Sequence, residues 1–239
     1  FLPAMVVTLL TVVLAARIAS SNLATRQLLV ARSVGQAVDM YLDLATRVLS
    51  GLARMADTGS RQALGIYMDS VRRAYGCFDT IYLLDEESII VLMTPPDPRY
   101  LRLDMSGQPY LRRPVTQTVI SSPFISFRTG QPTVHLVMPL SDGGVLVGEL
   151  SLSELQKTVE AEGSTQYFIA DRSGALLAHP RQELVAQQVN ISDMEIFRRG
   201  LQEETTSLYT VDRALFLGSV TRVEHTGWLV IAQTPLMAV

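Results

Sequence analysis

The sequence has few of the residues that build covalent or metal-centred chemistry: one cysteine, one lysine and three histidines in 239 residues. Because Cys77 is alone, no disulfide can form within the chain. His135, His179 and His225 stand singly, without the HxxxH, HExxH or His–Cys spacings of metal sites, so no metal or other cofactor is expected. The basic residues are scattered and the net charge is −3, which argues against nucleic acid as a partner.

Catalytic motifs are equally scarce. The chain has no G-x-S-x-G elbow and no phosphate-binding glycine loop, and Cys77 has no obvious base partner in sequence. The sequence therefore predicts a domain without an enzymatic activity of its own, and any catalytic output domain would lie outside it.

Residues 1–16 form a wholly uncharged apolar run that ends at Arg17. About 20 apolar residues are needed to span a bilayer, so this run fits the end of a transmembrane helix. The alternatives are the core of a signal peptide or a buried helix. Residues 236–239 are expected to begin a second membrane segment.

A helical pattern without proline continues over 17–58 and is interpreted as a stalk. Such a helix is about 60 Å long at 1.5 Å per residue, enough to rise past both modules described below. We expect it to support a parallel homodimer; the alternative is that its apolar stripe only covers a sheet. The stripe consists of Ile18, Leu23, Leu28, Val34, Val38, Leu42, Leu44, Val48, Leu52 and Met55.

The remaining chain repeats itself. Residues 81–94 align with residues 167–180 at an offset of 86, and each copy reads as a strand, a turn that starts at an aspartate (Asp85 or Asp171) and a second strand. Asp favours such turns because its side chain can bond to its own backbone two residues further on. The pattern predicts an α+β fold: a long N-terminal helix followed by two tandem modules, each an antiparallel sheet of about five strands with flanking helices. The modules are expected at 59–151 and 163–235, joined by a helix over 152–162. Within the first module, a short amphipathic helix is expected over 61–75 and a strand over 120–127.

Several short runs in this order resemble double Cache sensor domains, which are PAS-like. They are DMSGQPYLR (104–112), ISSPF (120–124), TGQPT (129–133) and GEL (148–150), then DRSG (171–174), AHP (178–180) and TGW (226–228). The resemblance implies the extracytoplasmic sensor of a bacterial histidine kinase, diguanylate cyclase or chemoreceptor, anchored in the inner membrane. It also implies that the first, membrane-distal module holds a small ligand and that the proximal module usually does not.

The resemblance also suggests ligand-binding positions. Amino-acid-binding members have Arg, Trp and Tyr where this chain has Gln108, Tyr110 and Leu111, and Asp where it has Glu149. Gln108 lacks the planar fork with which arginine binds a carboxylate, so that form of recognition is weakened. Strand alternation puts Glu149 on the face of Val145 and Val147, where it would favour an ammonium or another cation; the alternative is an exposed strand residue.

Further candidates surround these positions. Arg113, three residues after Tyr110, is preferred over Arg112, and Ser126 is a candidate hydrogen-bond partner for a ligand. Arg102 lies with Tyr100 on a proline-rich loop that suits a lid. Tyr82 and Phe124, with Met93, are typical of ordinary packing but also suit an aromatic wall.

Two functions remain open. A sensor for an amine, an amino-acid-like compound or an organic acid requires a partly polar cavity in the distal module. A ligand-free structural or protein-interaction ectodomain has that space filled by side chains such as Met93 and Phe124.

Overall fold

The computed structural model describes residues 2–111, 114–159 and 164–238. The first element is a single helix, α1 (Leu2–Thr58), which is 57 residues long and therefore about 85 Å from end to end. It contains the helix expected over 17–58. Its buried stripe includes Val38, Leu42 and Leu49, whereas Leu44 is exposed. Within the described residues, no helix combines the length and the apolar character needed to cross a bilayer.

The distal module is an antiparallel sheet covered on one face by α1 and α2. Its sheet order is β2-β1-β6-β5-β3, with β4 paired to β5. The elements are α2 (Arg61–Tyr75), β1 (Phe78–Leu84), β2 (Ile90–Thr94), a 3-10 turn (Pro109–Leu111), β3 (Val119–Ile120), β4 (Phe124–Ile125), β5 (Pro132–Pro139) and β6 (Val145–Leu150). Helix α2 matches its predicted bounds; Ser60 accepts a hydrogen bond from the Ala63 N–H at its start, and Gly76 ends it with a left-handed backbone.

The proximal module repeats this architecture with a five-stranded sheet in the order β8-β7-β11-β10-β9. Its elements are α3 (Leu152–Lys157), β7 (Gln166–Ala170), β8 (Leu176–Ala178), α4 (Gln182–Ala186), α5 (Glu195–Gly200), β9 (Thr205–Val211), β10 (Ala214–Arg222) and β11 (Leu229–Ala238). The predicted α+β fold with two antiparallel sheets is thus confirmed.

The repeated turns use the expected aspartates in the same way. Asp85 Oδ1 accepts hydrogen bonds from the backbone N–H groups of Glu87 and Ile89 at 3.1 and 2.8 Å. Asp171 Oδ1 accepts from those of Ser173 and Ala175, both at 2.9 Å. One turn chemistry therefore recurs at the offset read from the sequence.

Four local differences separate the fold from its prediction. Helix α3 ends at Lys157 and residues 158–159 form a turn, although the connecting helix was expected over 152–162, of which 160–162 lie outside the described residues. The single strand expected over 120–127 is broken into β3 and β4, because Pro123 has no N–H for a strand ladder. Helix α4 was not predicted, since five residues are too few for a helical period to register. Residues 236–238 belong to β11 and pair with β10, so the backbone is extended where a second membrane segment was expected to begin.

The two faces of the distal sheet carry different side chains, and this positions the candidate site. Ile81, Leu83 and Leu146 face the helices and join one apolar core that continues along α1 into the proximal module. Tyr82 and Val147, one position along on the same strands, join a second cluster beneath the 3-10 turn and the loops around it. A structural change on the face that carries Tyr82 and Val147 therefore affects strands whose opposite face packs against α1.

Candidate functional site

The centre of the site is a row of side chains across three strands of the distal sheet. Glu149 on β6 is paired with Thr80 on β1 and with His135 on β5. All three are 0% exposed. The adjacent row places Tyr82 beside Val147. Of the two alternatives left open for Glu149, the structure excludes the exposed strand residue.

The side chain of Glu149 is a buried carboxyl group with one hydrogen-bonded oxygen. The Ser126 hydroxyl donates a hydrogen bond to Glu149 Oε2 at 2.9 Å. Glu149 Oε1 has no hydrogen-bond partner among the described residues, and His135 Nε2 lies 3.7 Å from it. A buried carboxylate with an unpartnered oxygen is costly, because it has given up hydration without full replacement.

Aromatic rings cover His135. The Phe124 ring is stacked on the imidazole with centroids 3.7 Å apart and planes inclined by 23°. The Tyr110 ring lies 3.8 Å from the imidazole at 43°. The Tyr82 hydroxyl lies 3.0 Å from both Tyr110 Oη and His135 Nε2. These rings fill the space above the polar row, with Met93 buried in the same cluster.

The electrostatics of the site follow from burial. Burial lowers the pKa of His135, and the nearby carboxyl group of Glu149 offsets this only in part. Burial is also the main cause that raises the pKa of Tyr82 and of Tyr110. The imidazole and both phenols are therefore neutral near pH 7.

A hairpin closes the site on one side through Ser126 and Arg128. Ser126 Oγ accepts hydrogen bonds from the backbone N–H groups of Arg128 and Thr129, each at 3.2 Å. The Arg128 guanidinium donates to Thr80 Oγ1 at 2.7 Å and to the Asp79 carbonyl at 2.9 Å. The carboxyl group of Glu149 is thus connected through one hydroxyl to the backbone of the hairpin.

The proline-rich loop contacts this hairpin. The Tyr100 hydroxyl donates to the Phe127 carbonyl at 3.2 Å, and the two rings lie edge to face with centroids 5.1 Å apart. Arg102 is exposed on the same loop and has a left-handed backbone, with φ of 69°. The loop therefore covers the hairpin with Tyr100, whereas Arg102 faces solvent.

The structure brings most of the predicted site residues together. Tyr82, Tyr110, Phe124, Ser126 and Glu149 form one contiguous group. Gln108, just before the 3-10 turn, and Arg102 are both exposed. Arg113 lies outside the described residues. A ligand-binding role for each of the eight residues stays a prediction.

Sequence reasoning missed His135 and Arg128. His135 was weighed only as a metal ligand, although its alternation with Val137 on β5 was a signal that it faces inward. Arg128 lies in a turn, where no periodicity indicates direction. Among the described residues, no group of three His, Cys, Asp or Glu side chains is arranged to hold a metal ion.

Comparison with known proteins identifies related sequences and folds. The family profile described as "Cache domain" matches residues 15–238. The ligand-binding domain of the Campylobacter jejuni chemoreceptor Tlp3, in complex with L-norvaline, superimposes with a TM-score of 0.70 at 13% identity, covering 90% of this chain and 91% of that one. Comparison with curated protein sequences gives no significant match.

Two further solved structures share the fold. The ligand-binding domain of the Pseudomonas fluorescens chemoreceptor CtaA, in complex with L-isoleucine, gives a TM-score of 0.67 at 17% identity, over 92% of this chain and 95% of that one. The extracellular domain of rpHK1S-Z16, named as a histidine kinase, gives 0.80 at 16% identity, over 91% and 96%. At these identities the likeness concerns the fold.

Proposed function

Because the chain belongs to the Cache domain family of extracytoplasmic sensor domains, we propose that it is the sensing part of a bacterial transmembrane receptor whose distal module binds a small, positively charged organic molecule. The observation that carries this proposal is the Glu149 carboxyl group, fully buried with one unpartnered oxygen. A neutral packing residue at this position would avoid the cost of burying a charge. Retention of a carboxylate there is explained if a ligand completes its hydrogen bonds.

An ammonium group suits this environment. It carries three donors, and a charge-assisted hydrogen bond to a carboxylate is about twice as strong as a neutral one. The rings of Tyr110 and Phe124 lie beside the same carboxylate row and can hold a cation over their faces. Tlp3 is described in complex with valine, isoleucine and norvaline, and CtaA with serine and isoleucine, all of which carry an ammonium group.

The described site offers fewer groups that could bind the carboxylate of a ligand. Gln108 is exposed and neutral, and the guanidinium of Arg128 already donates to Thr80 and to the Asp79 carbonyl. We therefore favour an amine, or an amino-acid-like compound recognised mainly through its ammonium, over a simple organic acid.

Ligand entry requires the rings above His135 to move. Tyr110 lies on the 3-10 turn and Phe124 on β4, the strand before the hairpin that holds Ser126. These short elements can shift without breaking the central strands β1, β5 and β6. A ligand that binds the open arrangement better than the packed one shifts the population by its differential affinity, and a few kcal/mol is enough.

The signal would then pass to α1 through the opposite face of the same strands. Leu146 and Ile81 pack in the core shared with α1. We propose that α1 is the stalk of a parallel homodimer anchored in the inner membrane, with both modules on its outer side, and that a shift of α1 against its partner reaches an output domain outside this chain. In this account the domain itself catalyses no reaction.

The packed rings also favour a second candidate. Phe124 and Tyr110 cover His135 as a ligand-free structural or protein-interaction ectodomain requires. In such a domain an unpartnered buried carboxylate has no function, so the effect of replacing Glu149 distinguishes the two candidates.

A thermal-shift screen of the full chain against amines, amino acids, organic acids, purines and sugars tests the proposal. A compound that binds only the folded protein raises its free energy of unfolding by mass action, by about 2.7 kcal/mol at a hundred times its Kd, and so raises its melting temperature. We expect a hit among ammonium-bearing compounds that is lost in Glu149→Gln and Tyr110→Ala. Glu86→Gln, a change at an exposed turn carboxylate, is the matched control and should keep the shift.

A further inference from the structure

His135 and Glu149 form a buried pair that the proposed ligand does not fully explain. The two side chains are opposite each other on β5 and β6, and both are 0% exposed. His135 Nε2 lies 3.7 Å from Glu149 Oε1. Neither Glu149 Oε1 nor His135 Nδ1 has a hydrogen-bond partner among the described residues. The pair therefore has an open acceptor on the carboxyl group and an open nitrogen on the imidazole.

The surroundings of the imidazole suit a positive charge in one respect and oppose it in another. The faces of Phe124 and Tyr110 lie 3.7 and 3.8 Å from it, within the range at which aromatic rings attract cations. Burial opposes the charge, and the pKa of His135 is lowered in consequence. The rings and the carboxylate thus offset part of the desolvation cost that a protonated imidazole would carry.

The titratable and charged groups around His135 come from four elements. Tyr82 on β1 contacts Nε2, Tyr110 on the 3-10 turn contacts the ring, and Glu149 lies on β6. Arg128 on the hairpin reaches Thr80, the next member of the polar row. Both phenols have raised pKa values and stay neutral across the acidic range. Glu149 is therefore the described group whose charge acts on His135 most directly.

We propose that His135 and Glu149 form a proton-binding site, and that a proton on His135 competes with the organic cation for Glu149. Protonation makes both ring nitrogens donors. A shift of roughly 1 Å then brings Nε2 within hydrogen-bond distance of Glu149 Oε1. With the proton bound, His135 and Glu149 form an internal ion pair beside Phe124 and Tyr110. This arrangement excludes a ligand from Glu149. This regulation rests on the proposed function for the identity of the competing ligand, but proton binding itself does not require one.

The direct test is a histidine titration by NMR on the full chain with labelled imidazole carbons and without any organic ligand. Only three histidines are present, so His179→Gln and His225→Gln variants assign the signals. We expect His135 to titrate with a midpoint below that of free histidine, about 6.5. In Glu149→Gln the midpoint should move to still lower pH, because the stabilising charge is gone.

His225 is the internal control. Its Nδ1 lies 2.9 Å from Asp39 Oδ1 on α1, it is exposed, and its pKa is raised by that partner. Its midpoint should lie above that of free histidine and should not respond to Glu149→Gln. Absence of any His135 titration between about pH 4.5 and 8 in the wild-type protein overturns the inference, and so does an identical midpoint in a folded Glu149→Gln variant. A failed ligand screen would count against the proposed function and leave the titration of His135 unaffected, so the two proposals fail separately.

Discussion

Replacement of Glu149 by glutamine separates a ligand site from a structural polar contact. The change keeps the shape of the side chain and removes the charge. In wild type the buried carboxylate has one hydrogen bond, from Ser126, and one unpartnered oxygen. Leaving a buried charged group unpaired costs about 3 kcal/mol or more, and this cost disappears in the variant.

Two losses oppose that gain. The Ser126 hydrogen bond changes from charge-assisted to neutral, which weakens it by about 1 kcal/mol. The new amide N–H₂ also needs an acceptor, and His135 Nε2, the ring nitrogen near the carboxyl group, already lies 3.0 Å from the Tyr82 hydroxyl. We therefore expect Glu149→Gln to raise the free energy of unfolding by about 1 kcal/mol, and the melting temperature by about 2–4 °C, while it abolishes ligand-induced stabilisation.

The assay is thermal and urea unfolding of wild type, Glu149→Gln and the comparison variant Ser126→Ala. Loss of the Ser126 hydroxyl leaves the carboxylate without a donor and removes the acceptor of the Arg128 and Thr129 N–H groups. Ser126→Ala should therefore destabilise the protein by about 1–3 kcal/mol. If Glu149→Gln instead lowers the melting temperature, the carboxylate is a satisfied structural group, and the reasoning for a ligand site is wrong.

Three further changes have defined outcomes. Gly148→Ala places a Cβ 2.5 Å from the Phe78 ring, so urea unfolding should show a loss of about 1–3 kcal/mol; an unchanged midpoint would mean that the ring moves freely. Tyr82→Phe removes the hydroxyl between Tyr110 and His135 and should cost about 1–2 kcal/mol, and no loss of stability would show that these contacts are unimportant. Because the folded pKa of His135 is lowered, the unfolded chain binds more protons as pH falls through about 6.5, and stability should decline with acidification from there; the same decline in His135→Gln would assign it to other groups.

Local patterns were enough to predict most of the architecture. The turn aspartates Asp85 and Asp171 bond to their own backbone within four residues, so the information that forms each hairpin lies in a few adjacent residues. The bounds of α2 were predicted because Ser60 and Gly76 cap it locally. The break between β3 and β4 was missed because Pro123 acts on backbone pairing and not on the side-chain pattern from which the strand was predicted.

The candidate site could be predicted only in part. Glu149 was selected from the family resemblance, and alternation along β6 indicated that it shares a face with Val145 and Val147. The pairing of His135 with Glu149 depends on the register between β5 and β6, and register is set by tertiary packing that no single segment encodes. Gln108 was selected from the family resemblance, but the 3-10 turn exposes it and directs Tyr110 inward instead.

The central claim is that Glu149 binds the positive charge of a small ligand. Titration calorimetry of the strongest compound from the screen, against wild type and Glu149→Gln at one pH, tests it most directly. The account predicts binding to wild type and a loss of at least tenfold in affinity for the variant, about 1.4 kcal/mol. Equal affinity for the two proteins, or a screen in which no compound binds the wild type, would contradict it.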